Sequence, residues 1–147
     1  MTNWAALLTV LCAAMLLPAQ AGMNAQFARN MGQPLGASIM NFTVGLVSML
    51  AYLALVRPSI QFSGAAAAPW WSWFSGMIGV LFVASSAVNA VRLGAAVFVA
   101  VTIAGQMLGS FLIDWFGLFG FPQAHISAGR VAGLLLLGLS VYLIQRG

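Results

Sequence analysis

Few side chains in this sequence can do acid–base or covalent chemistry. Asp114 is its only carboxylate side chain, His125 its only imidazole and Cys12 its only thiol, and it contains no glutamate and no lysine. These three stand in separate segments, so they compose neither a nucleophile–base–orienter triad nor a ligand set for a metal ion. A phosphate-cradling loop of the NTPase kind needs a lysine. A lone cysteine closes no disulfide within the chain, and Cys12, inside an apolar run, reads as a small lipid- or helix-facing residue. The expectation is a protein that is not an enzyme and holds no cofactor and no metal.

Polar chemistry is carried instead by amides and hydroxyls set inside apolar segments. Gln20 and Asn24 are four apart, which puts them on one face of a helix. Pro18 stands just before them; it has no N–H to give to the carbonyl of Ala14 and permits a bend there. Ser38 and Asn41 follow in the second apolar segment, and Ser85, Ser86 and Asn89 close the third. Gln106 and Ser110 lie in the fourth. Two readings compete. In the first, Gln20, Asn24, Asn41, Ser85 and Asn89 line a polar vestibule that leads to a substrate site near Gln106 and Ser110. In the second, the same groups make interhelical hydrogen bonds worth about 1 kcal/mol or less per pair. The amides favour the first reading more than the serines do, because lipid satisfies none of an amide's donors and acceptors.

The elements that must hold these residues are transmembrane helices. Charged residues make up 4% of the chain and apolar ones 63%, where a soluble domain carries roughly a quarter charged. Spanning a bilayer takes about 20 apolar residues, and five segments qualify: 4–28, 34–56, 70–90, 93–115 and 128–145. Pro34 suits a first helical turn. Trp70, Trp71 and Trp73, with Trp4 and Trp115 at the ends of their helices, fit an aromatic belt on the N-terminal side of the membrane. Residues 5–17 and the run Pro18–Ala21 have the look of a signal peptide's core and cleavage site. With no basic residue before Arg29, the segment is read as a retained transmembrane helix. The whole of 1–147 makes a single transmembrane domain, too short to enclose a large transport path alone. The sequence pI near 10.8 comes from five scattered arginines and is not the clustered footprint of a nucleic-acid binder.

Those arginines nearly balance across the membrane. Strict alternation of five helices puts Arg29, Arg92 and Arg146 on the side opposite the N-terminus, and Arg57 and Arg130 on the N-terminal side. Orientation follows this difference, and here it is small. Two copies inserted in opposite senses would make ten helices related by an axis in the membrane plane, the plan of many secondary transporters. A single orientation fixed by subtler features remains the other reading. Asp114 and Arg130 flank one loop at the N-terminal side and read as an interfacial ion pair. Gly105 with Gly109, and Gly129 with Gly133, are spaced to let helix backbones approach closely. The fifth helix, nearly free of polar side chains, reads as a packing or dimerisation helix.

Several runs resemble the YdcZ-like family. They include Pro18-Ala-Gln20-Ala-Gly-Met-Asn24, Gly32-Gln-Pro-Leu-Gly36, Asn41-Phe42 with Gly45, and Pro69-Trp70-Trp71. Arg92-Leu93-Gly94-Ala95-Ala96, Gly105-Gln106, Ile113-Asp114-Trp-Phe-Gly117 and Arg130-Val-Ala-Gly133 continue the likeness to the end of the chain. The resemblance implies membership of the drug/metabolite transporter superfamily, a bacterial inner-membrane location and export of a small molecule. It also implies half-size subunits that pair antiparallel, as a homodimer or with an oppositely oriented paralogue, as the related small multidrug resistance proteins do. Those proteins carry a glutamate in the first helix where this chain has Gln20 and Asn24, which weighs against proton-for-cation exchange and toward an uncoupled path or a neutral or anionic substrate.

The sequence thus predicts an all-α integral membrane protein of five transmembrane helices per protomer, paired as an antiparallel ten-helix dimer. Its partners would be itself or a paralogue, the lipid bilayer and a small-molecule substrate, and not nucleic acid. The function expected is a dual-topology exporter subunit working by alternating access. The rival is a non-transporting assembly or regulatory subunit of a membrane complex.

Overall fold

A computed structural model describes residues 3–125 and 127–147. Among the described residues all regular structure is helical. Five stretches are long and apolar enough to cross a membrane: Trp4–Met31, Pro34–Val56, Trp70–Leu93, Ala95–Phe116 and Ala128–Arg146. The chain divides into two compact units, Met1–Arg92 and Leu93–Gly147.

In the first unit, the opening span is two helices, α1 (Trp4–Ala14) and α2 (Leu17–Met31). Asn3 starts α1 by accepting the N–H of Ala6 at 3.1 Å. The backbone stays helical through Met15 and Leu16 but tightens there, Leu16 N–H reaching Ala13 O at 3.2 Å, just ahead of Pro18, whose missing N–H removes one rung. Glycine ends α2: Gly32 sits at φ 68°, a left-handed conformation that costs other residues more. Gln33 is extended, and Pro34 opens α3 (Pro34–Val56) with φ already set for a helix. Two residues therefore turn the chain back, and α2 and α3 form the most extensive helix pair of this unit. At its far end α3 stops before Pro58, with Arg57 as a left-handed C-cap at φ 49° whose N–H reaches Leu53 O at 3.0 Å. The third span opens as a 3-10 turn, Trp70–Phe74, whose Ser72 N–H reaches Pro69 O at 2.9 Å, before α4 (Ser75–Leu93) begins.

The buried positions of α2 and α3 are small: Ala21, Asn24 and Ala25 on one, Gly36, Ala37 and Ser38 on the other. Small residues let backbones approach where lipid supplies no hydrophobic drive to pack. Ser38 Oγ donates to Val80 O at 3.0 Å and ties α3 to α4. Close beside it, a Cβ on Gly79 would come within 2.9 Å of Phe42 Cζ, so that glycine gives the Phe42 ring its room between α3 and α4.

In the second unit, α5 (Ala95–Phe116) and α6 (Ala128–Arg146) pack together across the loop between them. Gly117, at φ 62°, ends α5. The α5 carbonyls left over are then met by the loop: Ala124 N–H donates to Asp114 O and Gln123 Nε2 to Trp115 O, each at 2.8 Å. Ser127 caps α6 by accepting the N–H of Arg130 at 3.3 Å.

Candidate functional site

Polar groups gather in two places, one in each unit. In the first, Gln20 Nε2 donates to Asn41 Oδ1 at 2.9 Å, joining α2 to α3 by their amides. Helical spacing carries the same face of α2 one turn on to Asn24, which is 4% exposed. The side-chain amide of Asn24 has no hydrogen-bonding partner among the described residues, yet no fully occluded polar atom there is left unpaired. Its amide therefore keeps a narrow access. Three of the sequence-selected pathway residues thus lie on one helix pair. The serines and the third-span amide behave differently. Asn89 Nδ2 donates to Ser85 O at 2.9 Å and to Ser85 Oγ at 3.3 Å, within α4 itself, and Ser86 Oγ turns back to Val83 O.

The second gathering lies between α5 and α6. Arg130 Nη1 donates to Asp114 Oδ2 at 3.1 Å, with the two side chains 45% and 31% exposed. An open cavity of about 510 Å³ adjoins this pair, and Ser110, Ser127, Gly129 and Gly133 also line it. Ser110 Oγ is spent on Met107 O at 3.0 Å. Gln106, one turn earlier on α5, is exposed, and its amide has no partner among the described residues. Within the second unit it therefore makes no hydrogen bond with Ser110.

The glycines selected for helix packing meet little within one chain. A Cβ on Gly105, Gly109 or Gly133 would enter open space, and one on Gly129 would reach only Ser127 Oγ at 3.9 Å. The α5–α6 contact itself therefore does not use these positions. The tight contacts fall instead at Gly36, against Met31, and at Gly79, against Phe42. Gly36 follows Gly32 by four, but the two stand on either side of the α2–α3 turn and not on one helix face, and Gly79 has no glycine four residues away, so helical spacing gave no signal for them. Ser38 was visible as a polar residue in an apolar run, but its bond to α4 was not.

Residues 5–143 match the model of a family described as "Putative inner membrane exporter, YdcZ". The chain belongs to that family. It is 29% identical over 111 residues to the inner membrane protein YdcZ of Escherichia coli (strain K12), a match covering 75% of this chain and 74% of that protein. No solved structure matches it. Family membership and five membrane-crossing helices together make this a multi-pass protein of the inner membrane.

Proposed function

We propose that this protein is the half-size subunit of an exporter that moves a small metabolite or drug-like compound across the inner membrane by alternating access. The assembled transporter contains two chains in opposite orientations, either two copies of this one or one copy with a paralogue. The observation that carries the reading is the amide cluster on α2 and α3. Gln20 is bonded to Asn41 beside the nearly buried, unspent amide of Asn24, in a chain of an exporter family.

An unsatisfied amide in lipid is expensive. Gln20 keeps a carbonyl oxygen and one N–H beyond its bond to Asn41, and Asn24 and Gln106 keep their whole amides. These groups can hydrogen-bond a neutral or anionic solute without a charge of their own. Exchanging the Gln20–Asn41 bond for bonds to a solute costs little, because such bonds contribute about 1 kcal/mol in bilayers. Opposite insertion is supported by the arginine count, three against two, and by glycine faces on α5 and α6 that the pairing of these two helices leaves open. The Asp114–Arg130 pair holds the loop end of the second unit together and is assigned an anchoring role.

The test is extracellular metabolite profiling of cells expressing the wild type or Gln20→Leu, with membrane abundance matched by immunoblot. A solute enriched outside wild-type cells and lost with the variant supports export. Identical profiles, with both proteins folded in the membrane, would return the chain to the non-transporting class.

A further inference from the structure

Met1–Arg92 contains three arginines and no carboxylate side chain. The chain's one carboxylate side chain, Asp114, lies in the other unit and is engaged by Arg130. Two of the three, Arg29 and Arg92, line a single open pocket of about 280 Å³, together with Gly32, Gln33 and Pro34. Three helix ends converge there: the last turn of α2, the last turn of α4 and the first turn of α3.

Arginine in the last turn of a membrane helix has an ordinary explanation. It offsets the negative pole of its own helix and sits at head-group level. That explains each residue singly but not the shared pocket. The start of α3 is a positive pole whose N-cap residue, Gln33, provides no side-chain cap; Pro34 has no N–H and Gly36 N–H is taken by Gln33 O at 3.0 Å, so the pole acts mainly through its field. Two guanidinium groups and an uncapped helix start therefore share one small space with no acidic side chain. Like charges gathered in this way repel unless an anion sits among them, and helix starts are ready-made anion sites.

The arginines are also prepared for such a ligand. Arg29 Nη2 donates to Gln26 Oε1, and Gln26 Nε2 donates in turn to Asn30 Oδ1 at 3.0 Å, so a relay along α2 holds the guanidinium while leaving most of its N–H groups free. Arg92 has no acceptor among the described residues. Drug-sized ligands occupy pockets of roughly 300–1,000 Å³; this one falls just below that range and suits a head group. Planar guanidinium groups match the oxygens of a phosphate in paired hydrogen bonds. We propose that this pocket binds a phosphate-class oxyanion, one per protomer, held by Arg29, Arg92 and the start of α3. The source is either the head group of an anionic phospholipid or a soluble phosphate ester.

The experiment uses the full chain in nanodiscs of phosphatidylcholine. One arm titrates glycerol 3-phosphate by calorimetry. The other adds phosphatidylglycerol in rising proportion and counts retained lipid by native mass spectrometry. One saturable equivalent per protomer is expected in at least one arm. Binding in the lipid arm alone assigns the site to head groups, and binding of glycerol 3-phosphate assigns it to soluble esters. Arg29→Gln and Arg92→Gln should each weaken binding by about tenfold or more, as loss of a charge-assisted hydrogen bond does. Arg146→Gln, which removes a last-turn arginine outside the pocket, should leave binding unchanged. If either glutamine variant fails to fold, phenylglyoxal labelling of the wild type replaces it: ligand should slow modification of Arg29 and Arg92 and not of Arg146. No saturable binding in either arm, or equal effects at Arg146, would overturn the proposal.

Discussion

Asp114 and Arg130 attract each other, but each stands at the wrong end of its own helix. Asp114 lies in the last turn of α5, where the backbone pole is negative, and Arg130 in the first turn of α6, where it is positive. Exchanging the two residues keeps the pair and puts both charges at favourable poles. A charge at a helix end is worth about 0.3–1 kcal/mol, and reversing an unfavourable placement counts twice. The low end applies here, because the α5 carbonyls already accept from Ala124 N–H and Gln123 Nε2 and both side chains are partly exposed. Four such contributions give a gain of about 1 kcal/mol for Asp114→Arg with Arg130→Asp. The pair itself, one contact at 3.1 Å, is worth about 1 kcal/mol after solvent screening. Either single substitution replaces that attraction with a like-charge contact and should fall about 1–2 kcal/mol below the wild type. Reversible unfolding in mixed micelles, run on all four proteins, measures the cycle. A double variant no more stable than the worse single one would refute both the pairing and the dipole reasoning.

Gln106→Leu should abolish export while leaving assembly intact, since its amide makes no bond among the described residues; normal export, or loss of the assembly on cross-linking, would move the residue into the scaffold. Cysteine accessibility labelling at Thr2 and Gly147 in whole cells should find both ends on both sides of the membrane, and two lysines inserted after Met1 should bias that end to the cytoplasm. A single wild-type orientation would exclude the homodimer and require a paralogue. Gly79→Ala should cost about 1–3 kcal/mol by driving a methyl into Phe42 Cζ, now 2.9 Å from that position. Adding Phe42→Leu should recover much of the loss in a thermal melt, and a stable single variant would show that the α3–α4 contact is looser than described.

The helical membrane architecture was legible because composition alone excludes water as the solvent, and prolines and glycines punctuate what remains. Pro34 marks the start of α3, Pro58 its end, and Pro18 the missing rung in the first span. The nearness of Asp114 and Arg130 followed from the short loop they flank. Which way each side chain turns was less legible. Apart from α2 these helices are apolar nearly all round, so no amphipathic stripe sets their rotation, and spacing alone could not say that Asn89 would bond within α4 while Gln20 would bond across to α3. The convergence of Arg29 and Arg92 depends on where three helix ends meet. Nothing local to either residue announces it, since each sits where an arginine at a membrane boundary is expected.

The tightened turn in the first span also bears on membrane thickness. Trp4–Met31 has 28 residues, about 42 Å of helix at 1.5 Å per residue, against a hydrocarbon core of about 30 Å. A rigid rod of that length would have to lean, and leaning would pull Gln20 away from Asn41. With one rung missing at Pro18 and a tightened turn at Met15 and Leu16, α1, which buries no residue, has a point about which to tilt while α2 stays docked on α3. The thin and thick regions of a bilayer are then met by the outer half of the span. The amides keep their depth whatever the thickness of the lipid around them.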